Sequence, residues 1–504
     1  MVQLFPKRRT FRWIALAAIC ALSGLANPRA DLALASDQGS GSPGNSAPSH
    51  EQTKRRFLSA LAAFKAQRYR DAESALVPLA KSNPASFEIN ELLGLVYVAQ
   101  GQDGKANPFL AKAVRLKPDV AEARTTLATN LLRLHRSGEA EAQFKKLVEL
   151  EPRDYDANHN LGEFYIQTGR LPDAIVFLKR AREVNPNAQN NGYDLALAYE
   201  KNGNLDDARH EVQSLTRIQD SAELHSLLGE IEEKAKNYVA SAAQYEQAAR
   251  MDPNEQNIFD WGAELLLHQT FEPAVEVFKA GLAHSPQSVR LQVGLGIALY
   301  GLGSFDDGAR AFLRSADMDR SNPLPLTFLG RAYDNLSPEL ADQVLARLRS
   351  FLNQDTGNAQ VRYYYAMCLW KLNEKEPDAE LPAQIESLLK TSIALDPTYA
   401  DADLQLGILH ANQRKYQEAI SNYEEALKVN PNLPGLHYRL GQALARTGDT
   451  AHAKEELSQF ERLRQTSVDE ANKQHAEIQQ FVYTMRNSNM GNPQDSPAPA
   501  GEQK

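Results

Sequence analysis

The sequence predicts an all-α solenoid built from about twelve helical hairpins, and three periodicities predict it. Pro84, Pro118, Pro152 and Pro186 follow one another at intervals of 34 residues, and Pro253, Pro286, Pro397 and Pro431 fall in equivalent places. With each proline set as position 32 of a repeat, position 8 reads Ala60, Gly94, Ala128, Gly162, Ala196, Gly229, Gly262, Gly296, Gly330, Ala366, Gly407 and Gly441. Position 20 reads Ala72, Ala106, Ala140, Ala174, Ala208, Ser241, Ala274, Gly308, Ala419 and Ala453, and only the ninth and tenth repeats depart from it.

Each repeat carries two amphipathic stretches of about 13 residues, such as 155–168 and 172–185, with a glycine or polar break between them. That is the pattern of a helical hairpin. Small residues at positions 8 and 20 let the two helix axes approach. Larger ones at positions 7, 11 and 24, which are Leu161, Tyr165 and Leu178 in the fourth repeat, fill the surrounding space. The proline at position 32 disfavours helical backbone in the residue before it, so the second helix ends and the chain turns into the next hairpin. Stacked hairpins bury their apolar faces against one another, and no single globular core is needed.

Leu161, Gly162, Tyr165, Gly169, Ala174 and Pro186 of the fourth repeat resemble the tetratricopeptide repeat family. So do Leu406, Gly407, Tyr416, Ala419, Tyr423, Ala426 and Pro431 of the eleventh. The resemblance covers roughly residues 53–465 and implies a right-handed α-solenoid. Two repeats depart from it. The ninth opens its second helix with Ser337 and Pro338, read as an N-cap and a first-turn proline, and has no alanine in register. The tenth carries an insertion, NEKEPDAELPAQ at 373–384, between its helices.

The N-terminus is different in kind. Lys7, Arg8, Arg9 and Arg12 precede an apolar run from Trp13 to Ala26, followed by small residues and Pro28, the layout of a secretory signal peptide over residues 1–35. Cleavage is expected after Ala26 or Ala35. As a helix the run reaches only about 21 Å, against roughly 30 Å of hydrocarbon, which disfavours a permanent span. Arg8-Arg9-Thr10-Phe11 also resembles a twin-arginine signal, but Lys7 stands where that motif has Ser or Thr, and the general secretory route is preferred. Cys20 follows Ile19 rather than a small residue, which argues against a lipoprotein.

Residues 36–52 are rich in Gly, Ser and Pro and read as a flexible linker. At the far end, Val468, Ala471, Ile478, Phe481, Val482 and Met485 fall at helical spacing behind a Ser467–Glu470 capping box. This predicts a capping helix over 466–487, followed by a disordered tail at 488–504.

The 504-residue chain has a net charge of −9, and residues 1–35 hold five basic residues and one acid, leaving −13 on the remainder. Nucleic acid is therefore not an expected partner. Cys368 is the one cysteine beyond the signal, so no intrachain disulfide is expected. No His-Glu-x-x-His, phosphate-binding Gly-Lys-Ser/Thr loop or Cys-x-x-Cys occurs, and the spacing of Gly294, Gly296 and Gly301 is wrong for a dinucleotide loop. The histidines are scattered, and acid pairs such as Asp206–Asp207 and Glu424–Glu425 read as helix starts or solvated faces. No catalytic residue, metal or cofactor is expected, and the chain is read as a non-enzyme.

The resemblance implies that positions 2, 5, 9, 12 and 13 of each first helix face a concave inner surface. Those positions hold Phe259 and Leu266 in the seventh repeat, Val293, Ile297 and Tyr300 in the eighth, Tyr363, Met367 and Trp370 in the tenth, and Tyr438 in the twelfth. This apolar strip is the candidate ligand surface. In the sixth repeat the same positions give Glu223, Glu230, Glu233 and Lys234, and the Lys, Arg and Asn set of a carboxylate clamp is absent. The expected function is a protein-binding scaffold in the cell envelope that holds extended peptide or protein segments, with any membrane association coming from an uncleaved signal. A scaffold subunit of a polysaccharide-export or secretion complex, a self-assembling array and an enzyme with an unrecognised site are the alternatives. Oligomeric state stays open.

Overall fold

Side chains start the first helix of many hairpins. Ser86, Asp154, Ser221, Asn254, Ser288 and Asn358 each accept a hydrogen bond from the backbone N–H three residues on, pairing a donor that the helix itself leaves free. The second helices open without such caps, except the last, where Asp449 Oδ1 accepts from the His452 N–H at 3.2 Å. They follow a left-handed residue at position 15, found at Gln67, Gly101, His135, Gly169, Gly203, Lys236, Gln269, Gly303, Arg414 and Gly448, with φ between 55° and 89°. At Gly169 the turn closes with two bonds: its N–H donates to Ile166 O (3.0 Å), and the Arg170 N–H donates to Tyr165 O (2.8 Å). This is the left-handed helix ending that glycine adopts most cheaply.

The computed structural model describes residues 50–355, 357–466 and 479. The expected signal peptide, the linker as far as residue 49, the capping helix beyond residue 466 apart from residue 479, and the tail lie outside the described residues. The chain divides into two compact blocks, one ending at Asp220 and one beginning at Ser221. Asp220 holds the position-32 place that proline fills at the preceding junctions.

The N-terminal block pairs α1 (His50–Lys65) with α2 (Tyr69–Ser82), α3 (Phe87–Ala99) with α4 (Asp103–Leu116), α5 (Ala121–Arg133) with α6 (Ser137–Leu150), α7 (Tyr155–Gln167) with α8 (Leu171–Val184), and α9 (Gln189–Lys201) with α10 (Leu205–Ile218). The C-terminal block continues with α11 (Ala222–Lys234) and α12 (Tyr238–Met251), α13 (Glu255–Leu267) and α14 (Phe271–His284), and α15 (Val289–Gly301) and α16 (Phe305–Met318). It then runs through α17 (Leu324–Ala332), α18 (Pro338–Gln354), α19 (Ala359–Lys375), α20 (Leu381–Leu395), α21 (Ala400–Asn412), α22 (Tyr416–Val429), α23 (Pro434–Thr447) and α24 (Thr450–Thr466). The first helix begins at His50, within the stretch read as linker. Among the described residues the secondary structure is helical, and no helix is long and apolar enough to cross a membrane.

Position 8 meets position 24 across each regular hairpin. A Cβ on Gly162 would lie 2.6 Å from Leu178 Cγ, one on Gly262 2.6 Å from the Phe278 ring, and one on Gly407 2.5 Å from the Tyr423 ring. Leu178, Phe278 and Tyr423 are themselves fully buried. Position 20 abuts the first helix directly: a Cβ on Gly308 would sit 3.0 Å from Gly296 O, and the Ser241 hydroxyl donates to Gly229 O at 3.0 Å. Position 4 ties some repeats to the proline before them. Asn90 Nδ2 donates to Pro84 O (3.2 Å), Arg124 Nε to Pro118 O (2.7 Å) and Asn158 Nδ2 to Pro152 O (3.0 Å), and His437 Nε2 lies 2.8 Å from Pro431 O.

The ninth repeat breaks this geometry. Its first helix, α17, is nine residues long and runs into a 3-10 turn at Tyr333–Asn335 with no left-handed residue. A Cβ on Gly330 would strike Tyr364 of α19 at 2.5 Å rather than anything in α18. Ser337 does not cap α18 with its side chain, contrary to expectation. Its backbone N–H donates instead to Asp306 Oδ1 (2.9 Å), and Pro338 takes the first helical position. The insertion in the tenth repeat is absorbed by running α19 on to Lys375 and by a loop before α20.

Candidate functional site

The strip expected on the inner face divides into buried and accessible members. Phe259 and Leu266 are 0% exposed, Ile297 4% and Tyr363 9%, all inside one apolar cluster that runs from Ala249 to Leu409. These four are core residues, which corrects the expectation that they face a ligand. At position 5 the reason is visible: the next repeat closes over it. The Arg290 guanidinium lies 5.0 Å from the centre of the Phe259 ring, and Tyr363 is boxed edge-on by Tyr364 and Tyr399, each with ring centres 5.1 Å away. Val293 is buried as well.

Tyr300, Met367 and Trp370 fringe that same core and remain half-buried. The Tyr300 ring meets Phe305 edge-on at 5.2 Å, while Trp370 Nε1 donates to Glu374 Oε1 at 3.1 Å, one turn further along α19. Beside Trp370, Lys371 Nζ lies 3.5 Å from Asp334 and 3.3 Å from Glu374. Arg331, at position 9 of the ninth repeat, donates through Nε to the Tyr364 hydroxyl and lies over the rings of Phe328 and Tyr364. Tyr438 is 41% exposed and packs on Phe460 at 5.0 Å, outside the cluster that holds the other seven. Cys368 is buried, and burial pushes its thiol well above the usual range, which suits packing rather than reactivity.

The N-terminal block carries acids at inner positions that the sequence reading passed over. Position 2 of three consecutive repeats reads Glu88, Glu122 and Asp156, and position 5 of the second repeat is Glu91. Glu88 is buried and paired: Lys117 Nζ donates to its Oε1 at 2.7 Å, and Ser86 Oγ donates to its Oε2 at 3.0 Å. Although burial opposes it, this pairing holds the Glu88 carboxyl below the usual range. Glu91 is 3% exposed, and burial, then the charges of Glu122 and Glu88, push its carboxyl up to about 8. Burial raises Asp156 too, followed by the charges of Asp154 and Glu122. Glu122 thus acts on carboxyls in the repeats on both sides of it. The signal was legible as three acids spaced by 34 residues.

His159 is buried, stacks on Tyr155 with ring centres 5.6 Å apart, and pairs Nδ1 with Asn191 Oδ1 at 3.2 Å. Burial lowers its basicity, as for a histidine held in packing. Among the described residues no group of His, Cys, Asp and Glu side chains is arranged to hold a metal ion.

Family models described as tetratricopeptide repeat match residues 57–121, 131–191, 193–255 and 261–323, and one described as TPR repeat matches 412–448. Together they span more than half of the chain, and they pass over 324–411, where the ninth and tenth repeats depart from the pattern. No curated protein matches. Among solved structures, the Naa15/Naa10 complex bound to HypK-THB is similar at 16% identity, covering 81% of this chain and 68% of that one with a TM-score of 0.33. A tetratricopeptide repeat protein from Parabacteroides merdae is similar at 16% identity, covering 49% and 98% with a TM-score of 0.38. YrrB, described as a TPR protein with an unusual peptide-binding site, is similar at 18% identity, covering 36% and 95% with a TM-score of 0.33.

Proposed function

Starting from a chain that belongs to the tetratricopeptide repeat family, we propose that it is a non-enzymatic scaffold of the cell envelope that holds extended peptide or protein segments along its first helices. The observation that carries this is the half-exposure of Tyr300, Met367 and Trp370 at positions 9 and 12, while their apolar neighbours at equivalent places are sealed in the core. Tyrosine and tryptophan present large rigid contact areas, and methionine adapts to irregular partners. The envelope setting rests on the basic, apolar and small-residue order of residues 7–35.

One preparation tests both parts. Cells are fractionated, the N-terminus of the chain in the envelope fraction is sequenced, and the purified chain is used to capture partners from that fraction. The mature protein is expected to begin after Ala26 or Ala35, and an intact Met1 in the cytosol contradicts the setting. Trp370→Ala is expected to weaken the captured partner's binding by about 2 kcal/mol, roughly 30-fold, with helical circular dichroism and melting midpoint near wild type. Unfolding of the variant would return Trp370 to the core, and unchanged affinity would remove the strip as the site.

A further inference from the structure

We propose that the trough between α4 and α6, floored by α5, binds a small anionic amphiphile: a carboxylate or phosphate head on a short unbranched apolar tail. The trough offers about 390 Å³, which lies in the range of small-molecule sites. Its lining includes none of the inner-face positions described above, so the proposal goes beyond the scaffold reading and does not depend on it.

Two arginines mark its ends. At one end the Arg124 guanidinium reaches from α5 to both neighbours, donating through Nε to Pro118 O (2.7 Å) just past α4 and through Nη1 to Gln143 Oε1 (2.8 Å) on α6. At the other end Arg136 closes the gap by donating through Nη1 to Asn107 Oδ1 (2.9 Å) on α4. Between them Val114, Leu127 and Leu131, each no more than 6% exposed, form an apolar floor. From Arg124 to Leu131 the helix advances about 10 Å, close to the length of an octyl chain. Ala111 keeps the trough open: the same position 25 holds Lys145, Lys179, Gln213, Glu246 and Lys279 in later repeats.

Charge selects what enters. The other half-buried arginines of this block are met by carboxylates, Arg133 by Asp103 (3.2 Å), Arg182 by Glu211 (2.8 Å) and Arg209 by Asp206 (2.6 Å). Arg124 is half-buried too, yet both of its bonds go to neutral oxygens, and among the described residues no carboxylate lies within ion-pair distance of it. Arg115, exposed on the rim at the same end, has none either. Arg136 is already neutralised by Glu139, which accepts from its Nε at 2.6 Å and its Nη2 at 2.7 Å. The uncompensated positive charge therefore sits at one end of an apolar floor. A guanidinium pairs with carboxylate or phosphate oxygens through parallel N–H bonds, and a partly desolvated one without a counter-ion gains most from an arriving anion. A head held by Arg124 and Arg115 lays its tail along Leu127 and Leu131 toward Arg136.

The test is a ligand-observed NMR titration of the chain with octanoate and octyl phosphate, run against octyltrimethylammonium, octanol, acetate and inorganic phosphate. Binding of either anionic octyl probe supports the proposal, and the ranking of the two identifies the head. The cation and the isolated heads are expected to bind about 10-fold more weakly or worse. Ala111→Gln, which places the fifth repeat's residue in the trough, should weaken the anionic probes by about 10-fold with an unchanged melting midpoint. Arg115→Gln should cost about 3-fold, and Arg124→Gln should bring octanoate to the affinity of octanol. Because Arg124 also ties α4 to α6, the Ala111 and Arg115 variants decide the matter if its variant does not fold. Equal binding of the cation, an Ala111→Gln variant that binds as well as wild type, or no binding of either anionic probe would each overturn the proposal. None of these results touches the Trp370 strip, so the scaffold reading stands or falls separately.

Discussion

Replacing Gly162 with leucine places four carbons where the hairpin has room for none. The first alone would lie 2.6 Å from Leu178 Cγ and 2.7 Å from its Cδ2, with the Leu178 backbone nitrogen at 3.3 Å, so moving one rotamer does not clear the site. Leu178 is 0% exposed and has no free space to enter. Overpacking of this kind costs about 1–3 kcal/mol, offset by roughly 1 kcal/mol from replacing glycine inside a helix. A leucine brings the full conflict, at the upper end of that range, and a net loss of about 2 kcal/mol is expected. Alanine is different. Ala60, Ala128 and Ala196 occupy the same place opposite Leu76, Phe144 and Val212, so a Cβ is accommodated by small shifts, and Gly162→Ala should stay within about 1 kcal/mol of wild type. Because a repeat array need not unfold in one step, the assay is hydrogen exchange resolved to α7 and α8 alongside the denaturant midpoint. Gly162→Leu should lose protection in those helices and their neighbours first. A leucine variant as protected as wild type, or an alanine variant as damaged as leucine, would refute the assignment of Gly162 to the crossing.

Glu91 gives a pH prediction. Its carboxyl rises from 4.5 to about 8 on folding, so the native state holds the extra proton. Stability conferred by the protonated form is complete below pH 4.5 and is lost as pH climbs through 8, by an amount on the order of a few kcal/mol. Glu91→Gln, with Glu88, Glu122 and Lys117 left in place, should flatten the denaturant midpoint between pH 5 and 8, and parallel profiles for the two proteins would contradict this. At the hairpin turn, His135 is exposed and left-handed with φ 57°, so His135→Gly should stabilise by about 0.5–1 kcal/mol. Gly169→Ala should destabilise by a similar amount, and thermal melts that rank the pair the other way would show that the turn is not strained.

The hairpins were legible in the sequence because their requirement is a volume at a fixed place. Position 8 admits nothing larger than a methyl group opposite Leu178 or Phe278, and that restriction is written as glycine or alanine in every repeat. The left-handed turn was less legible. Gln67, His135, Lys236, Gln269 and Arg414 adopt it without a glycine to announce it, because the two bonds that close the turn act on backbone alone. Exposure on the inner face was least legible. Whether Phe259 is reachable depends on Arg290, 31 residues later, and periodicity within one helix carries no record of that neighbour. Glu88, Glu122 and Asp156 were in plain view at repeat spacing, but an acid near a helix start has an ordinary explanation, and only the burial of Glu91 beside them makes the line unusual.

The left-handed turn also decides where this chain can grow. In ten repeats the first helix ends, reverses through one residue of positive φ and re-enters the second helix, with each step tied to a carbonyl of the preceding turn. Such a joint has no slack: an added residue would break its bonds and rotate the second helix off its partner's glycine. The ninth and tenth repeats lack the joint, and it is the tenth that holds the twelve-residue insertion at 373–384. Foreign sequence, whether an affinity tag, a protease site or a loop carried from another protein, therefore belongs between α19 and α20, the one hairpin turn among the described residues that already absorbs extra length.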